Sequence, residues 1–224
     1  ELWNGSAWTE VADLNTGRNN LGSGGTSTAA LGFGGGTPTF TGKTEEWNGT
    51  SWVEVNDLNI ARGQLGGTGS TTAALAFGGE IQPVTTATEE WNTGNAVGAW
   101  STGGALNTGR QSLAGSGAQA SALAYGGATA TAATAVTESY NGTSWTEVAD
   151  LNTARNNFAG AGANNTSALA FGGGTAPTKA LTENWNGSSW TEVADLNTGR
   201  QNLGGTGTNT AGLAFGGEAP PDSV

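Results

Sequence analysis

The chain has 224 residues and a formal net charge of −11 at pH 7, and it contains no cysteine, histidine or methionine. The missing residue types exclude disulfides, thiol nucleophiles, Ser-His-Asp catalysis and metal sites built on Cys or His. The acidic net charge argues against nucleic-acid binding, which needs clustered Lys and Arg. The sequence contains no apolar run of about 18 residues, the length that would predict a membrane span.

One unit of about 45 residues occurs five times along the chain. The phrase SWTEVADLNT stands at 144–153 and 189–198, and relatives of it begin at Ala7, Ser51 and Ala99. A repeat at this period is typical of an array in which each unit packs on its neighbours. We therefore predict a single domain over residues 1–224.

The sequence pattern of each unit predicts four short strands. In the second unit, the first strand is the glycine-rich segment 65–69, and the second is Ala73–Phe77, where large and small residues alternate. The third and fourth strands are joined at Asn48-Gly49 in the first unit, a pair typical of tight hairpins in which both central residues have positive φ. Glycine in a first strand indicates close approach of a neighbouring backbone.

Four antiparallel strands repeated radially predict an all-β fold, a five-bladed β-propeller of four-stranded antiparallel blades. The chain starts within a unit at its third strand and stops after a second strand. We therefore expect the N- and C-terminal strands to share one blade and close the ring. The predicted blades span residues 18–57, 62–105, 110–150 and 155–195, and a fifth spans 200–217 and is completed by 1–13.

The order of Arg, apolar inner strand, di-glycine, acidic-aromatic strand and Trp resembles the kelch repeat of galactose-oxidase-like propellers. The resemblance covers all five units and implies a propeller fold, but not one function. The copper oxidase of that family needs His ligands and a Cys-modified Tyr, which this chain lacks. The near-identical units, rich in Asn and Thr, are also similar to repeats in phage and marine viral structural proteins.

Arginine and asparagine recur at one position of every unit, in an Asn-x-x-Arg turn. One interpretation pairs each Arg with a recurring Asp or Glu; the other places them around the mouth of the channel as an anion or carboxylated-sugar site. In the second interpretation Arg110 is the freest, because Ala105 replaces the aspartate of its unit. The candidate ligand-binding residues are Arg18, Arg62, Arg110, Arg155, Arg200, Asn15, Asn59, Asn107, Asn152 and Asn197.

Nine tryptophans mark the third and fourth strands. Periodic aromatic residues in a propeller usually form the core between blades, and the alternative is a platform on which sugars stack. The most variable segments are 36–43, 80–87, 128–136 and 174–181, which we place on the face of the Asn-x-x-Arg turns. They are either unconstrained loops or a binding surface for glycans or a protein partner.

We predict a non-catalytic binding module without cofactor or metal, because adjacent carboxylates such as Glu45-Glu46 point to opposite faces of a strand. Its expected function is carbohydrate recognition in a virion-surface or extracellular adhesive protein. The alternatives are a structural or protein-docking propeller, and a recently duplicated or engineered repeat protein. The missing methionine at position 1 suggests a domain of a larger polypeptide.

Overall fold

The computed structural model describes residues 1–94, 98–174 and 179–219, and its regular elements there are all β-strands. Four sheets have four antiparallel strands each, hydrogen-bonded in chain order. The first blade contains β3 (Gly22–Thr26), β4 (Ala29–Phe33), β5 (Thr44–Trp47) and β6 (Trp52–Val55). The second contains β7 (Gly66–Gly69), β8 (Ala73–Phe77), β9 (Thr88–Asn92) and β10 (Ala99–Thr102).

The third blade contains β11 (Ala114–Ala118), β12 (Ser121–Tyr125), β13 (Thr137–Tyr140) and β14 (Trp145–Val148). The fourth contains β15 (Ala159–Asn164), β16 (Ser167–Phe171), β17 (Thr182–Trp185) and β18 (Trp190–Val193). Two further sheets are only two-stranded. The N-terminal hairpin is β1 (Leu2–Trp3) and β2 (Trp8–Thr9), and the C-terminal hairpin is β19 (Gln201–Thr208) and β20 (Ala211–Glu218).

The inner strands β3, β7, β11, β15 and β19 follow one another around a central channel, and one end of it is a cavity of 360 Å³. Near the start of each inner strand from β7 onwards, a backbone amide donates to the equivalent carbonyl of the preceding unit. Gln64 N donates to Asn20 O at 2.8 Å, and the same link recurs three times, ending with Asn202 N to Asn157 O at 2.8 Å. Backbone bonds therefore tie the four blades and the C-terminal hairpin together at one mouth of the channel.

Glycine in the inner strands allows neighbouring backbones to approach. A Cβ on Gly67 would lie 2.8 Å from both the backbone N and O of Ser23, and one on Gly24 would lie 3.1 Å from the carbonyl of Thr68. Atoms at 2.8 Å would overlap, so a side chain there would push the first and second blades apart. The predicted close approach of inner strands is confirmed.

The Asn-Gly turns differ from the two-residue hairpin that the sequence predicts. Between the paired residues Trp47 and Trp52 the loop has four residues, and only Gly49 has positive φ, at 93°. Asn48 Oδ1 accepts hydrogen bonds from the backbone N–H groups of Thr50 and Ser51, both at 3.0 Å. The asparagine therefore closes the turn with its side chain.

The prediction of five blades is wrong. Within the described residues four sheets are complete, whereas β20 pairs only with β19 and β1 pairs only with β2. The sequence predicts that the terminal strands pair, because the chain starts at a third strand and stops after a second strand. In the structure the N-terminal hairpin contacts β20 through side chains instead. Its Trp8 ring packs at a tilt against Phe215 of β20, with centroids 5.5 Å apart, and within the described residues no backbone ladder joins the two hairpins.

In the part of the chain that is described, no helix is long and apolar enough to cross a membrane.

Candidate functional site

The arginines of the first four units are buried in ion pairs. Arg18, Arg62, Arg110 and Arg155 bind Glu45, Glu89, Glu138 and Glu183, respectively, on the third strand of the blade that follows. In the third and fourth blades the distance from Arg Nη2 to Glu Oε1 is 3.0 Å. Each Arg also donates to backbone carbonyls of the second strand, such as Arg110 Nη2 to Ala124 O at 3.3 Å.

The recurring asparagines bind the other oxygen of the same glutamates. In the fourth unit, Asn152 N and Nδ2 donate to Glu183 Oε2 at 2.7 and 2.8 Å. Nδ2 donates as well to Trp190 O at 3.1 Å, which ties the turn to the fourth strand. Asn15, Asn59 and Asn107 make the same set of bonds in the first three units.

Each glutamate thus holds the Asn-x-x-Arg turn against its blade. Both carboxylate oxygens are used, and the side chains of the four ion pairs are at most 2% exposed. Of the two carboxylates that the sequence offered, the arginines bind Glu. The aspartates Asp57, Asp150 and Asp195 accept instead from the backbone N–H of Thr44, Thr137 and Thr182, each at 3.1 Å.

The pKa values of these groups follow from burial and hydrogen bonding. Burial alone would raise the pKa of Glu45, but the hydrogen bond from Arg18, the bonds from Asn15 and the charge of Arg18 outweigh it and lower that pKa below its ordinary value. Burial lowers the pKa of Arg62, Arg110 and Arg155, while the facing glutamates act in the opposite direction.

Arg110, which the sequence suggested is the freest arginine, is fully buried and paired with Glu138. Arg200 is the one that differs. It is half-buried, donates to Gly216 O at 3.0 Å and has no carboxylate partner among the described residues. Asn197 in the same turn is exposed. Of the ten predicted ligand-binding residues, only Arg200 and Asn197 stand outside these Arg-Glu-Asn clusters.

Most tryptophans belong to the core. Trp100, Trp145 and Trp190 are 5–7% exposed and lie between blades, each within 4.9–5.1 Å of an aromatic ring of the preceding blade. Their indole N–H groups donate to Thr44, Thr88 and Thr137 at 3.0, 3.0 and 3.2 Å. These buried rings leave no face free for a sugar, so the interpretation of the periodic aromatics as interblade core is confirmed for these three.

The N-terminal hairpin is the exception. Trp3 and Trp8 are 39% and 43% exposed, with ring centroids 5.4 Å apart, and Phe215 is 37% exposed. With Trp52 of the first blade they line an open cleft of 530 Å³. Its other lining residues include the polar groups Glu1, Thr26, Ser27 and Thr206. Several large aromatic rings therefore share this open cavity.

The variable loops lie beside the turns, as predicted. Gly36, Glu80 and Ala128, at the start of three of the loops, form bridges with Asn19, Gly63 and Gln111, which directly follow the arginines. Residues 175–178 of the fourth loop, 174–181, lie outside the described part. The predicted role of this face in binding a partner stays a prediction.

Neither a family model nor a curated protein matches the chain. Among solved structures it is similar to the one titled "Structure of YjhT", with a TM-score of 0.77 and 15% identity, over 95% of this chain and 81% of that one. The fold is that of a β-propeller. At this identity the similarity establishes the fold alone, and the likeness to kelch and viral repeats stays a resemblance.

Sequence reasoning missed two features. The period favours the same core interpretation for Trp3 and Trp8 as for the other tryptophans and gives no signal of their exposure, because it does not show that their unit lacks a complete set of neighbours. The threonines that accept the indole N–H also escaped notice, although a Thr-Glu pair opens every complete third strand, at Thr44, Thr88, Thr137 and Thr182. Among the described residues no group of three Asp or Glu is placed to hold a metal.

Proposed function

We propose that the protein is a non-catalytic binding module that recognises carbohydrate in the cleft of Trp3, Trp8, Trp52 and Phe215. The exposure of Trp3 and Trp8 carries the proposal. An indole face bears the negative part of the ring quadrupole, so it attracts the C–H groups on the face of a sugar ring. A cleft with aromatic walls and a few polar groups is the usual form of a small-molecule site.

The rings are arranged to receive a sugar from more than one side. Trp3 and Trp8 are inclined by 44°, and Trp8 and Phe215 by 55°, so their faces enclose a volume and do not stack flat. Hydroxyl groups of the sugar that point away from the aromatic rings would lie near the carboxylate of Glu1 and the hydroxyls of Thr26 and Thr206, which also line the cleft. These groups would supply the hydrogen bonds that orient the ligand.

A glycan-array screen with the multivalent protein tests this proposal, with and without calcium. Binding to one sugar class, weakened at least about ten-fold by Trp3→Ala and by Trp8→Ala, is the expected result. Val53→Ala is the matched control, because Val53 is 50% exposed on the same blade as Trp52 but does not line the cleft. Glycan binding that both tryptophan variants retain would remove the cleft from consideration, and no binding to any glycan would favour the docking function.

We also propose a virion-surface or extracellular location. It is supported by the similarity of the Asn- and Thr-rich units to repeats of phage and marine viral structural proteins. Immunogold labelling of intact particles or cells with an antibody to this chain checks it. Label confined to the interior would contradict it.

The second candidate function is protein docking, and a different part of the molecule favours it. The outer edge of β20 has no strand partner among the described residues. In every complete blade the equivalent strand, the second, is paired on both sides. An unpaired edge offers a row of backbone donors and acceptors to another chain.

A further inference from the structure

A groove of 220 Å³ separates the fourth blade from the C-terminal hairpin. Leu169, Phe171 and Thr182 form one wall, and Gly212 and Ala214 of β20 form part of the other. At the three interfaces between complete blades, this position is filled by an indole. Thr182 is 7% exposed, whereas its three counterparts are at most 1% exposed, and Leu169 is only half-buried. The groove therefore lies at the interface between the fourth blade and the C-terminal hairpin, in the position that an indole fills at the other three interfaces. No indole of the described residues fills it here.

The groove has the same hydrogen-bonding chemistry as the filled positions. Thr182 Oγ1 donates to the carbonyl of Ala180 at 3.5 Å, as Thr137 Oγ1 does to Ala135 at 3.4 Å. A hydroxyl that donates in this direction keeps its lone pairs for an N–H donor. All nine tryptophans are described, and none donates to Thr182.

Arg200 supplies a second, independent feature beside the groove. It donates to Gly216 O at 3.0 Å, just as Arg110 donates to Gly126 O at 2.9 Å. Arg110 also binds Glu138, whereas Arg200 has no carboxylate among the described residues. A half-buried guanidinium in this position favours a carboxylate on the ligand.

The edge of β20 supplies the third feature. In the fourth blade, the second strand pairs with the third so that Ala170 lies opposite Glu183 and Ala168 opposite Trp185. Ala214 and Gly212 are the corresponding residues of β20, and no third strand of the described chain pairs with them. A strand that added to this edge in the same register would bring its carboxylate opposite Ala214 and towards Arg200.

We propose that the groove, the β20 edge and Arg200 together bind a β-hairpin of a partner polypeptide. The first strand of the hairpin pairs with β20 and carries a carboxylate for Arg200. Its second strand places a tryptophan on Phe171, with the indole N–H donated to Thr182. Backbone pairing supplies affinity in this mode of recognition, and the side-chain pockets supply specificity. The site is separate from the aromatic cleft and does not depend on carbohydrate binding.

The probe is a synthetic peptide with the sequence of residues 182–193, TENWNGSSWTEV, because that segment fills the equivalent position in the fourth blade. We expect saturable one-to-one binding to the intact protein by isothermal titration calorimetry. A peptide with Trp190→Ala should bind at least about ten-fold more weakly, since it loses the aromatic contact and the indole hydrogen bond. Val53→Ala in the protein should leave peptide binding unchanged, because Val53 is exposed on the first blade and lines neither the groove nor the aromatic cleft.

Protein variants locate the contact. Thr182→Val should weaken binding by about five-fold, the value of one neutral hydrogen bond. Thr88→Val is its matched control, because Thr88 has the same role but already binds Trp145. Arg200→Gln should weaken binding of the original peptide and have no further effect on a peptide with Glu183→Gln, which is the signature of a direct pair in a double-mutant cycle.

Three results would overturn the proposal. The first is that the peptide does not bind at a concentration of about 1 mM, which corresponds to a binding free energy of only about −4 kcal/mol. Another is binding that Thr182→Val and Arg200→Gln leave intact. The third is self-association in light scattering that Arg200→Gln abolishes, which would make the occupant a second copy of this chain.

Discussion

Arg155 Nη2 lies 3.0 Å from Glu183 Oε1, and neither side chain is more than 2% exposed. The arginine comes from the turn that enters the fourth blade, and the glutamate from the third strand of that blade. The pair therefore joins segments 28 residues apart. Asn152 saturates the second oxygen of the same carboxylate.

Replacing Arg155 should destabilise the fold strongly. Arg155→Ala leaves Glu183 buried without its cation, which costs about 3–5 kcal/mol. Arg200→Ala is the matched control and should cost about 0–1 kcal/mol, because Arg200 occupies the same turn position without a carboxylate partner among the described residues. Urea unfolding followed by tryptophan fluorescence measures both values. Equal losses for the two variants would contradict the assigned role of the ion pair.

The Glu45 carboxylate should make stability depend on acid pH. Its pKa is lower in the folded protein than its ordinary value of 4.5, so the stabilisation is fully present above pH 4.5 and is lost as pH falls through the folded pKa. The difference in unfolding free energy between the original protein and Glu45→Gln should therefore shrink as pH is lowered below 4.5. Urea titrations at a series of pH values test it. A difference that is constant with pH would refute the shift.

The interblade tryptophans should be far more important for stability than those of the N-terminal hairpin. Trp145→Ala removes a buried ring and the hydrogen bond to Thr88, and we expect a loss of about 3–5 kcal/mol. Trp8→Ala removes a ring that is 43% exposed and should cost about 1 kcal/mol or less. Thermal unfolding by circular dichroism ranks the two. A Trp8→Ala variant as unstable as Trp145→Ala would place the hairpin in the core.

The glycines of the inner strands should resist substitution by alanine. Gly67→Ala puts a Cβ 2.8 Å from the backbone of Ser23 and 2.7 Å from the Phe33 ring, and the blades must separate at a cost of about 1–3 kcal/mol. A Cβ at Gly17 would meet nothing within 4 Å, which makes Gly17→Ala the control. Chemical unfolding curves give the comparison. If Gly67→Ala were as stable as the control, the inner strands would not be packed as closely as the structure has them.

The repeat itself allowed the local structure to be predicted. The alternation in Ala73–Phe77 predicted both the first and the last residue of β8 correctly. The recurring Arg and Glu predicted an ion pair in each unit, as one of two alternatives. Both are properties of a unit and its own neighbours in sequence. The sequence could not distinguish Asp13 from Glu45 as the partner of Arg18, because that choice depends on which carboxylate the turn brings within reach.

Sequence alone therefore determined the all-β class, the four strands of each complete unit and the hairpin positions, since alternation, glycine and Asn-Gly act within a few residues. The tertiary structure decided the number of complete blades, the exposure of Trp3 and Trp8, and the lack of a carboxylate beside Arg200 in the part of the chain that is described. Those outcomes depend on how the first and last units meet their neighbours in space. Near-identical sequences give each unit the same local structure, but a side chain is buried only where another unit packs over it.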